Sequence, residues 1–407
     1  MTALPPRPEF TEPGLWPTPP QLLVLQAALL PAAAARAAFE EWVGTIDLDK
    51  DFDQGTFRIL PLMYMNLRQI GVEHPLMSRL KGIYRLAWYK NNKLFSDTTA
   101  MIEALHAASI PIMLLKGVPL VRQYYGNIAL RPMADIDILI PTAMATRVVE
   151  VMQRFPYMRY TAPTEDFLKF RPAMAYWSDT EGQLDVHWHA LRDCLAPAAD
   201  ETYWQTARPI DFNGIPCLMP DPTRMLFHVV IHGLRWNPEP PIRWIADAMT
   251  ILRVAGDEID WRAIVRDARA FRLSHRLHLS FAYLQRHFSA PIPEDVVREL
   301  ARHGVSMVER IESAYVLHDP TRLYESPLGH FWIGFGDYCR WAQNQTPWAF
   351  VIEFTHYLRF HWQLRGRSEI LGYLVRGVTK RVQRSLQPGA HGSAAAAKSA
   401  PGLPNDL

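Results

Sequence analysis

The sequence has few cysteines, and none of them form a pair at short spacing. The three cysteines are Cys194, Cys217 and Cys339, so their number is odd and their separations are wide. This pattern excludes a disulfide framework and a zinc site built on a C-x-x-C pair, and it is typical of a reducing compartment. We therefore expect a cytoplasmic protein.

Long apolar runs and a large charge of one sign are also missing. The most apolar early stretch, residues 22–35, is interrupted by Gln26 and Pro31 and is too short to span a bilayer. No basic segment precedes this stretch, as a signal peptide would require. The 43 basic and 41 acidic residues give a formal net charge of +2. This balance gives no reason to expect broad non-specific binding to nucleic acid.

Composition and periodicity divide the chain into five segments. Seven prolines in residues 1–20 exclude a helix or a central strand, so this segment is predicted to be an extended arm. Apolar spacings of three and four predict helical regions over residues 21–108 and 217–386. Residues 109–216 alternate short strand-like and helical stretches, which is typical of a small mixed sheet with helices packed against it. The low-complexity residues 387–407 are expected to be disordered. The predicted fold class is α+β.

Two carboxylates in the run DIDILI are the most informative residues of the predicted sheet. Successive side chains alternate between the two faces of a strand, so Asp135 and Asp137 project from the same face and lie close together. Two carboxylates this close repel each other unless a cation lies between them. Magnesium is the natural cation, since it prefers oxygen ligands and commonly binds one or two carboxylates together with substrate phosphates.

Other residues of the same segment extend this pattern. Leu114-Leu115-Lys116-Gly117 ends a strand and opens a helix, where a glycine allows backbone N–H groups to approach an anion. Lys116 and Arg131 add cations that could contact phosphate oxygens. Asp185 lies in a later strand-like run, and a third carboxylate on a neighbouring strand would complete a site for two metal ions.

The run LLKGVPLVRQYYGNIALRPMADIDILI, followed by LDVHWHAL, resembles the polymerase-beta-like nucleotidyltransferase superfamily. More narrowly, it is similar to a bacterial family labelled "uncharacterised nucleotidyltransferase". The motif core covers roughly residues 108–192, and a looser helical likeness extends to about residue 280. The resemblance implies a minimal nucleotidyltransferase core flanked by N- and C-terminal helical regions.

The resemblance also implies an activity and a role for each motif residue. The expected reaction is the magnesium-dependent transfer of a nucleoside monophosphate from a nucleoside triphosphate to an acceptor, with release of pyrophosphate. Asp135, Asp137 and Asp185 would be the catalytic carboxylates and would bind Mg²⁺, with Mn²⁺ as the alternative metal. Gly117 would lie against the nucleotide phosphates, with Lys116 and Arg131 nearby. The sequence departs from the superfamily at Val118, where a serine or a second glycine is usual.

Two other functions stay open. Asp185, His187 and His189 share one strand face, and such an array could bind a transition metal in a metal-dependent hydrolase. Because Val118 offers no hydroxyl group to a phosphate, a catalytically silent binding module on the same fold is the second alternative. His228 and His232 also have a metal-ligand spacing on a predicted helix, but no glutamate follows His228 as in H-E-x-x-H, so a structural role is favoured.

The partners are less determined than the reaction. The acceptor could be a small molecule, a peptide, a protein or an RNA end, and the sequence does not favour one triphosphate over another. Residues 357–384 are predicted to form a basic amphipathic helix, with basic residues such as Arg359, Arg365 and Arg384 against a single acid, Glu369. This helix could contact an anionic membrane or nucleic acid, but an ordinary surface helix is favoured.

Overall fold

The computed structural model of the protein describes residues 9–47, 52–155, 163–176, 183–302, 304–324, 326–342 and 345–375. The beginning of the predicted arm and the whole predicted C-terminal tail lie outside these ranges. No helix in the described ranges combines the length and the apolar character needed to cross a membrane.

Four helices form the N-terminal part of the described chain, as the spacing of apolar residues predicts. Side chains cap two of these helices: Thr18 and Gln21 form a capping box at the first, and Asp53 accepts a hydrogen bond from the Thr56 backbone N–H at the third. The helices are α1 (Pro19–Leu29), α2 (Ala32–Thr45), α3 (Gln54–Gln69) and α4 (Leu76–Ala107).

The segment before α1 differs from the predicted extended arm. Residues 9–18 contain no helix or strand, as their prolines require, but they do not extend into solvent. Leu15 and Trp16 are 3% and 5% exposed, and the Trp16 ring stacks on the ring of Tyr283 with their centroids 4.6 Å apart. Apolar burial therefore holds this stretch against the C-terminal helices.

A six-stranded mixed sheet lies at the centre of the described chain. Its strands follow the order β3-β4-β2-β1-β6-β5. β2 is parallel to β4, β1 is parallel to β6, and the other neighbouring pairs are antiparallel. This small mixed sheet, with helices around it, confirms the predicted α+β fold class. The strands are β1 (Met113–Leu115), β2 (Asp135–Leu139), β3 (Ala173–Tyr176), β4 (Gln183–His187), β5 (Arg208–Phe212) and β6 (Ile215–Met219).

The hairpin of β5 and β6 was not among the predicted strands. Asn213 and Gly214 connect the two strands with φ angles of 51° and 88°, the left-handed conformation that a two-residue hairpin turn requires. The predicted boundary between residues 216 and 217 falls inside β6. β6 pairs with β1 through Met113 and Leu218 and so belongs to the central sheet.

Helices of the middle segment connect the strands. The chain turns directly from β1 into a short helix, α5, which continues as a π-helix over Leu120–Tyr125. A helix also follows β2. These helices are α5 (Gly117–Pro119), α6 (Ala145–Met152), α7 (Glu165–Phe170) and α8 (Pro197–Gln205).

The described part of the chain after β6 is mainly helical. The first begins as the sequence predicts, because the Asp221 side chain accepts a hydrogen bond of 2.7 Å from the Arg224 backbone N–H and Pro222 occupies the first turn. The helices are α9 (Pro222–Gly233), α10 (Arg243–Ala255), α11 (Trp261–Ala270), α12 (Ser274–Phe288), α13 (Glu294–Arg302), α14 (Met307–Val316), α15 (Thr321–Tyr324), α16 (Pro327–Trp341) and α17 (Pro347–His361).

Two apolar clusters stabilise this arrangement. The larger contains the sheet, the N-terminal helices and helices α9 to α13. The smaller consists mainly of aromatic residues of α16 and α17, and Phe170 of α7 packs into it. Helices α16 and α17 therefore pack against α7 through a core separate from that of the sheet.

The predicted basic helix over residues 357–384 is interrupted in its described part. α17 ends at His361, a turn follows, and helical structure resumes over residues 369–375. Residues 376–384 of the predicted helix lie outside the described ranges. Arg359 forms an ion pair of 2.5 Å with Asp166, so one of its basic side chains joins two helices of the protein.

Candidate active site

Two of the predicted carboxylates face each other on adjacent strands. β2 and β4 pair in parallel so that Asp137 and Asp185 are direct partners. Residues in direct register on neighbouring strands project from the same face of the sheet. Both side chains are largely buried, with Asp137 4% and Asp185 7% exposed. Asp135 precedes Asp137 by two residues on the same face and lies closer to the solvent.

Lys116 lies beside this pair because of an unusual turn at the end of β1. Leu115, the last residue of β1, pairs with Asp137 on the other side of β2. Lys116 then adopts φ 47° and ψ −107°, a conformation that a non-glycine residue rarely adopts and that costs about 1–3 kcal/mol. Its Nζ atom donates a hydrogen bond of 2.6 Å to Asp137 Oδ1. Strain of this kind is often found where a side chain must be held at a functional site.

Two further polar residues of β4 hold the carboxylates. His187 Nε2 lies 3.0 Å from Asp137 Oδ1, and Gln183 Nε2 donates a hydrogen bond of 3.0 Å to Asp185 Oδ1. Asp137, Asp185 and His187 form one group whose potential ligand atoms lie within 4.8 Å of one another. His187 shares the strand face of Asp185, as the alternation predicts, but its hydrogen bond is with Asp137 on the neighbouring strand.

The charges of the three carboxylates influence one another. Burial alone would raise the pKa of Asp137, but Lys116 and His187 overcome this effect and hold the pKa well below its ordinary value. Burial and the nearby Asp137 raise the pKa of Asp185. Burial, together with Asp137 and Asp185, raises the pKa of Asp135 to about 6. Asp137 is thus ionised. Burial and repulsion from neighbouring carboxylates disfavour the ionised forms of Asp135 and Asp185.

A divalent cation is suited to this cluster. Asp137 and Asp185 offer the oxygen ligands that Mg²⁺ prefers, and Asp135 lies on the same face but outside the group of potential ligand atoms within 4.8 Å of one another. The cluster has more negative charge than Lys116 alone can balance, which is the condition under which a second cation stabilises such a group. His187 can orient Asp137 from outside the ligand set, since a nitrogen ligand is not required by a hard cation.

Arg131 is held by Asp247, a residue of α10 for which the sequence predicts no role. Its Nε and one terminal nitrogen donate to the two oxygens of Asp247 at 2.9 and 3.0 Å, and Tyr125 donates to the same carboxylate at 2.8 Å. Arg131 and Asp247 are 5% and 3% exposed. Arg131 Nη1 lies next to the turn, because a Cβ atom on Gly117 would be 3.1 Å from it. Asp247 lies in the run IRWIAD of residues 242–247, where the likeness to the family is looser.

His189 does not belong to the carboxylate cluster. Its Nδ1 lies 2.7 Å from Asp200 Oδ2, and its Nε2 lies 3.3 Å from the Leu168 carbonyl oxygen. Both ring nitrogens are therefore used within the protein. The structure does not assemble Asp185, His187 and His189 into the metal-binding array of the hydrolase alternative, because the alternation of β4 ends at His187.

His228 and His232 lie one turn apart on α9, as the spacing predicts. Their rings stack with centroids 5.9 Å apart. Burial lowers the pKa of His228 to about 3 and that of His232 well below its ordinary value, so both rings are neutral at pH 7. Neither ring belongs to the group of potential metal ligands formed by Asp137, Asp185 and His187.

Replacing Lys116 by methionine is expected to destabilise the metal-free protein. The change removes the cation that faces Asp137, so the free energy of unfolding should fall by about 2–3 kcal/mol. Added Mg²⁺ should restore more stability to this variant than to the wild type. Denaturant titrations with and without Mg²⁺ measure both effects.

Lys93→Met is the matched control for this measurement. Lys93 forms a largely exposed ion pair with Asp97 at 2.5 Å, so its removal should cost no more than about 1 kcal/mol and should not respond to Mg²⁺. Equal losses in the two lysine variants would contradict the role given to Lys116.

Comparison with known proteins adds the following findings. The sequence model of a family described as "Uncharacterised nucleotidyltransferase" matches residues 56–289, which is more than half of the chain and includes all of the candidate site residues. No curated protein matches the sequence. Similar solved structures include an antigenic nucleotidyltransferase-like protein from Paracoccidioides brasiliensis, with 15% identity and a TM-score of 0.33 over 52% of this chain and 93% of that chain. Another is the antibiotic-resistance factor ANT(2'')-Ia, with 15% identity and a TM-score of 0.30 over 49% and 98% of the two chains.

Proposed function

Because the chain belongs to the family of uncharacterised nucleotidyltransferases, we propose that it transfers a nucleoside monophosphate from a nucleoside triphosphate to an acceptor and releases pyrophosphate. In this proposal Asp135, Asp137 and Asp185 hold Mg²⁺, or Mn²⁺ in its place. The acceptor is a molecule with a hydroxyl or phosphate group whose identity is open.

The observation that carries the proposal is the register of β2 and β4. It places Asp137 directly beside Asp185 on the sheet, although 48 positions separate them in the chain. Lys116, in the turn after the neighbouring strand β1, donates a hydrogen bond to Asp137. A carboxylate cluster with an adjacent cation and a strained turn is suited to binding a metal ion together with a phosphate chain.

Each residue has a defined task in this reaction. Magnesium at the carboxylates supplies positive charge that stabilises the phosphoryl oxygens and the leaving pyrophosphate. Asp185, whose pKa is raised, is suited to receive the proton of the acceptor hydroxyl. The acceptor oxygen then bonds to the α-phosphorus, and the bond between this phosphorus and the oxygen bridging to the β-phosphate breaks. Lys116 is placed to contact phosphate oxygens near Asp137, whereas the space beside Gly117 is occupied by the side chains of Met133 and Arg131.

Thermal unfolding with each nucleoside triphosphate, in the presence and absence of Mg²⁺, tests this proposal. A ligand that binds only the folded state adds about 2.7 kcal/mol of stability at about a hundredfold excess over its Kd. We expect a magnesium-dependent rise of the unfolding temperature with at least one triphosphate, which identifies the donor. If none of the triphosphates stabilises the protein, the catalytically silent binding module becomes the better interpretation.

A further inference from the structure

A cavity of about 220 Å³ adjoins the carboxylate cluster on the side of the helical regions. Its walls come from the beginning of α3, from α9, and from the loop that leads into α10. Lys116 and Arg131 close it toward the sheet. The cavity therefore lies between the turn after β1 and residues that come from outside the predicted nucleotidyltransferase core.

The lining of this cavity is strongly basic. Lys116 and four arginines line it, against two carboxylates, Asp247 and Glu239. Asp247 is bound by Arg131 and Tyr125, and Glu239 accepts a hydrogen bond of 3.2 Å from the Gln54 backbone N–H. Lys116 and Arg131 are paired with Asp137 and Asp247, so the charge open to an anion comes mainly from Arg58 and Arg243, which form no ion pair within the described residues. The four arginines are Arg58, Arg131, Arg235 and Arg243.

Arg243 connects this charge to the catalytic carboxylates. Its Nη1 atom donates a hydrogen bond of 3.0 Å to the Pro132 carbonyl oxygen, just before β2. Burial and the nearby Arg131 lower the pKa of Arg243 to about 10, and Arg58 acts in the same direction. The guanidinium still carries its charge at neutral pH. Like charges that converge in a partly buried space repel one another, and an anion between them relieves the repulsion.

The volume of the cavity and its other lining residues indicate which kind of anion it binds. Sites for whole drug-sized ligands measure about 300–1,000 Å³, so this cavity fits a phosphate or diphosphate group better than a complete nucleotide. The His228 ring lines the cavity and is 2% exposed, and no described residue hydrogen-bonds its Nε2. Val118 points into the hydrophobic core, where it is fully buried. Arginine side chains bind phosphate oxygens through two parallel hydrogen bonds. They could therefore bind a phosphate in place of the serine hydroxyl group that Val118 lacks.

We propose that this cavity is a subsite for a phosphate group of a substrate, in which Arg58 and Arg243 of the helical regions bind the phosphate beside the carboxylate cluster. The phosphate chemistry has two sources, the terminal phosphates of the donor and a phosphate group on the acceptor. The identification of these two substrates rests on the proposed function. The binding of a phosphate anion in the cavity does not depend on it.

Calorimetric titration with pyrophosphate in the absence of divalent metal tests the subsite. We expect Arg58→Met, which removes an exposed guanidinium, to weaken pyrophosphate binding by about tenfold or more. Arg243→Lys keeps the charge but loses the two-pronged hydrogen bonding and should also weaken binding. Arg68→Met is the matched control, since Arg68 is an exposed residue of the same helix that does not line the cavity.

Competition experiments distinguish the two sources. If pyrophosphate displaces the triphosphate, the cavity holds the donor's terminal phosphates. If the triphosphate-saturated protein still binds inorganic phosphate in an Arg58-dependent way, the cavity holds a phosphate of the acceptor. The subsite is refuted if Arg58→Met and Arg243→Lys bind pyrophosphate and phosphate as the Arg68→Met control does, or if the wild type binds neither anion. A magnesium-dependent shift with a triphosphate would still support the transferase in that case, so the two hypotheses fail separately.

Discussion

Replacing Asp137 by asparagine is expected to slow pyrophosphate release from the triphosphate donor by about three orders of magnitude. Asp137 lies between Asp185, Lys116 and His187, so it is the residue through which the whole cluster is connected. Metal ions supply several kcal/mol of charge stabilisation in such reactions, and each 1.4 kcal/mol is about tenfold in rate. The stabilising effect of the triphosphate with Mg²⁺ should disappear as well.

Asp166→Asn is the matched control for this experiment, since Asp166 forms its ion pair with Arg359 on the surface. This variant should release pyrophosphate at the wild-type rate. Circular dichroism of both variants establishes that the fold is retained. Wild-type activity of Asp137→Asn would refute the assignment of the catalytic cluster, and the binding-module alternative predicts this indifference directly.

The strands that carry the cluster could be predicted from local sequence. The alternation of DIDILI and the apolar run ending at Lys116 each specify a strand, and the structure contains both as β2 and β1. A spacing of two on a strand fixes the common face of Asp135 and Asp137 without any tertiary information. That Asp185 lies beside Asp137 depends on the parallel pairing of β2 with β4, which the resemblance to a family implied and local patterns alone do not determine.

The partners of the buried charges could not be predicted in this way. Arg131 binds Asp247, 116 positions away, rather than a carboxylate of the nearby strand β2. His189 binds Asp200 because the chain leaves β4 after His187 and turns back through α8. Helix packing determines which buried acid pairs with which buried base, and it brings together residues that are far apart in the sequence. By contrast, the hairpin of β5 and β6 had a local signal, the Asn213-Gly214 pair between alternating apolar residues.

The C-terminal helices are joined to α9 by a buried network of charges, and this network is where the largest loss of stability is expected. Glu312 of α14 accepts hydrogen bonds from Arg276 at 3.0 Å and from Arg340 at 2.6 Å. All three side chains are 2% exposed. Arg276 also donates to the Ile231 and Leu234 carbonyl oxygens at the end of α9, the helix whose histidines lie at the basic cavity.

Replacing Glu312 by glutamine should therefore lower the free energy of unfolding by about 3–5 kcal/mol, because two buried arginines lose the carboxylate that they share and Asp193, 3.1 Å from Arg276, cannot balance both of them. Glu258→Gln is the matched control: its ion pair with Arg208, at 2.5 Å, is about half exposed, so the same chemical change should cost less than about 1 kcal/mol. Urea unfolding of the two variants measures the difference. Equal, small losses of stability in the two variants would mean that apolar packing alone holds the C-terminal helices to α9. The expected difference would show that the charges of this network hold α14 and α16 against α9.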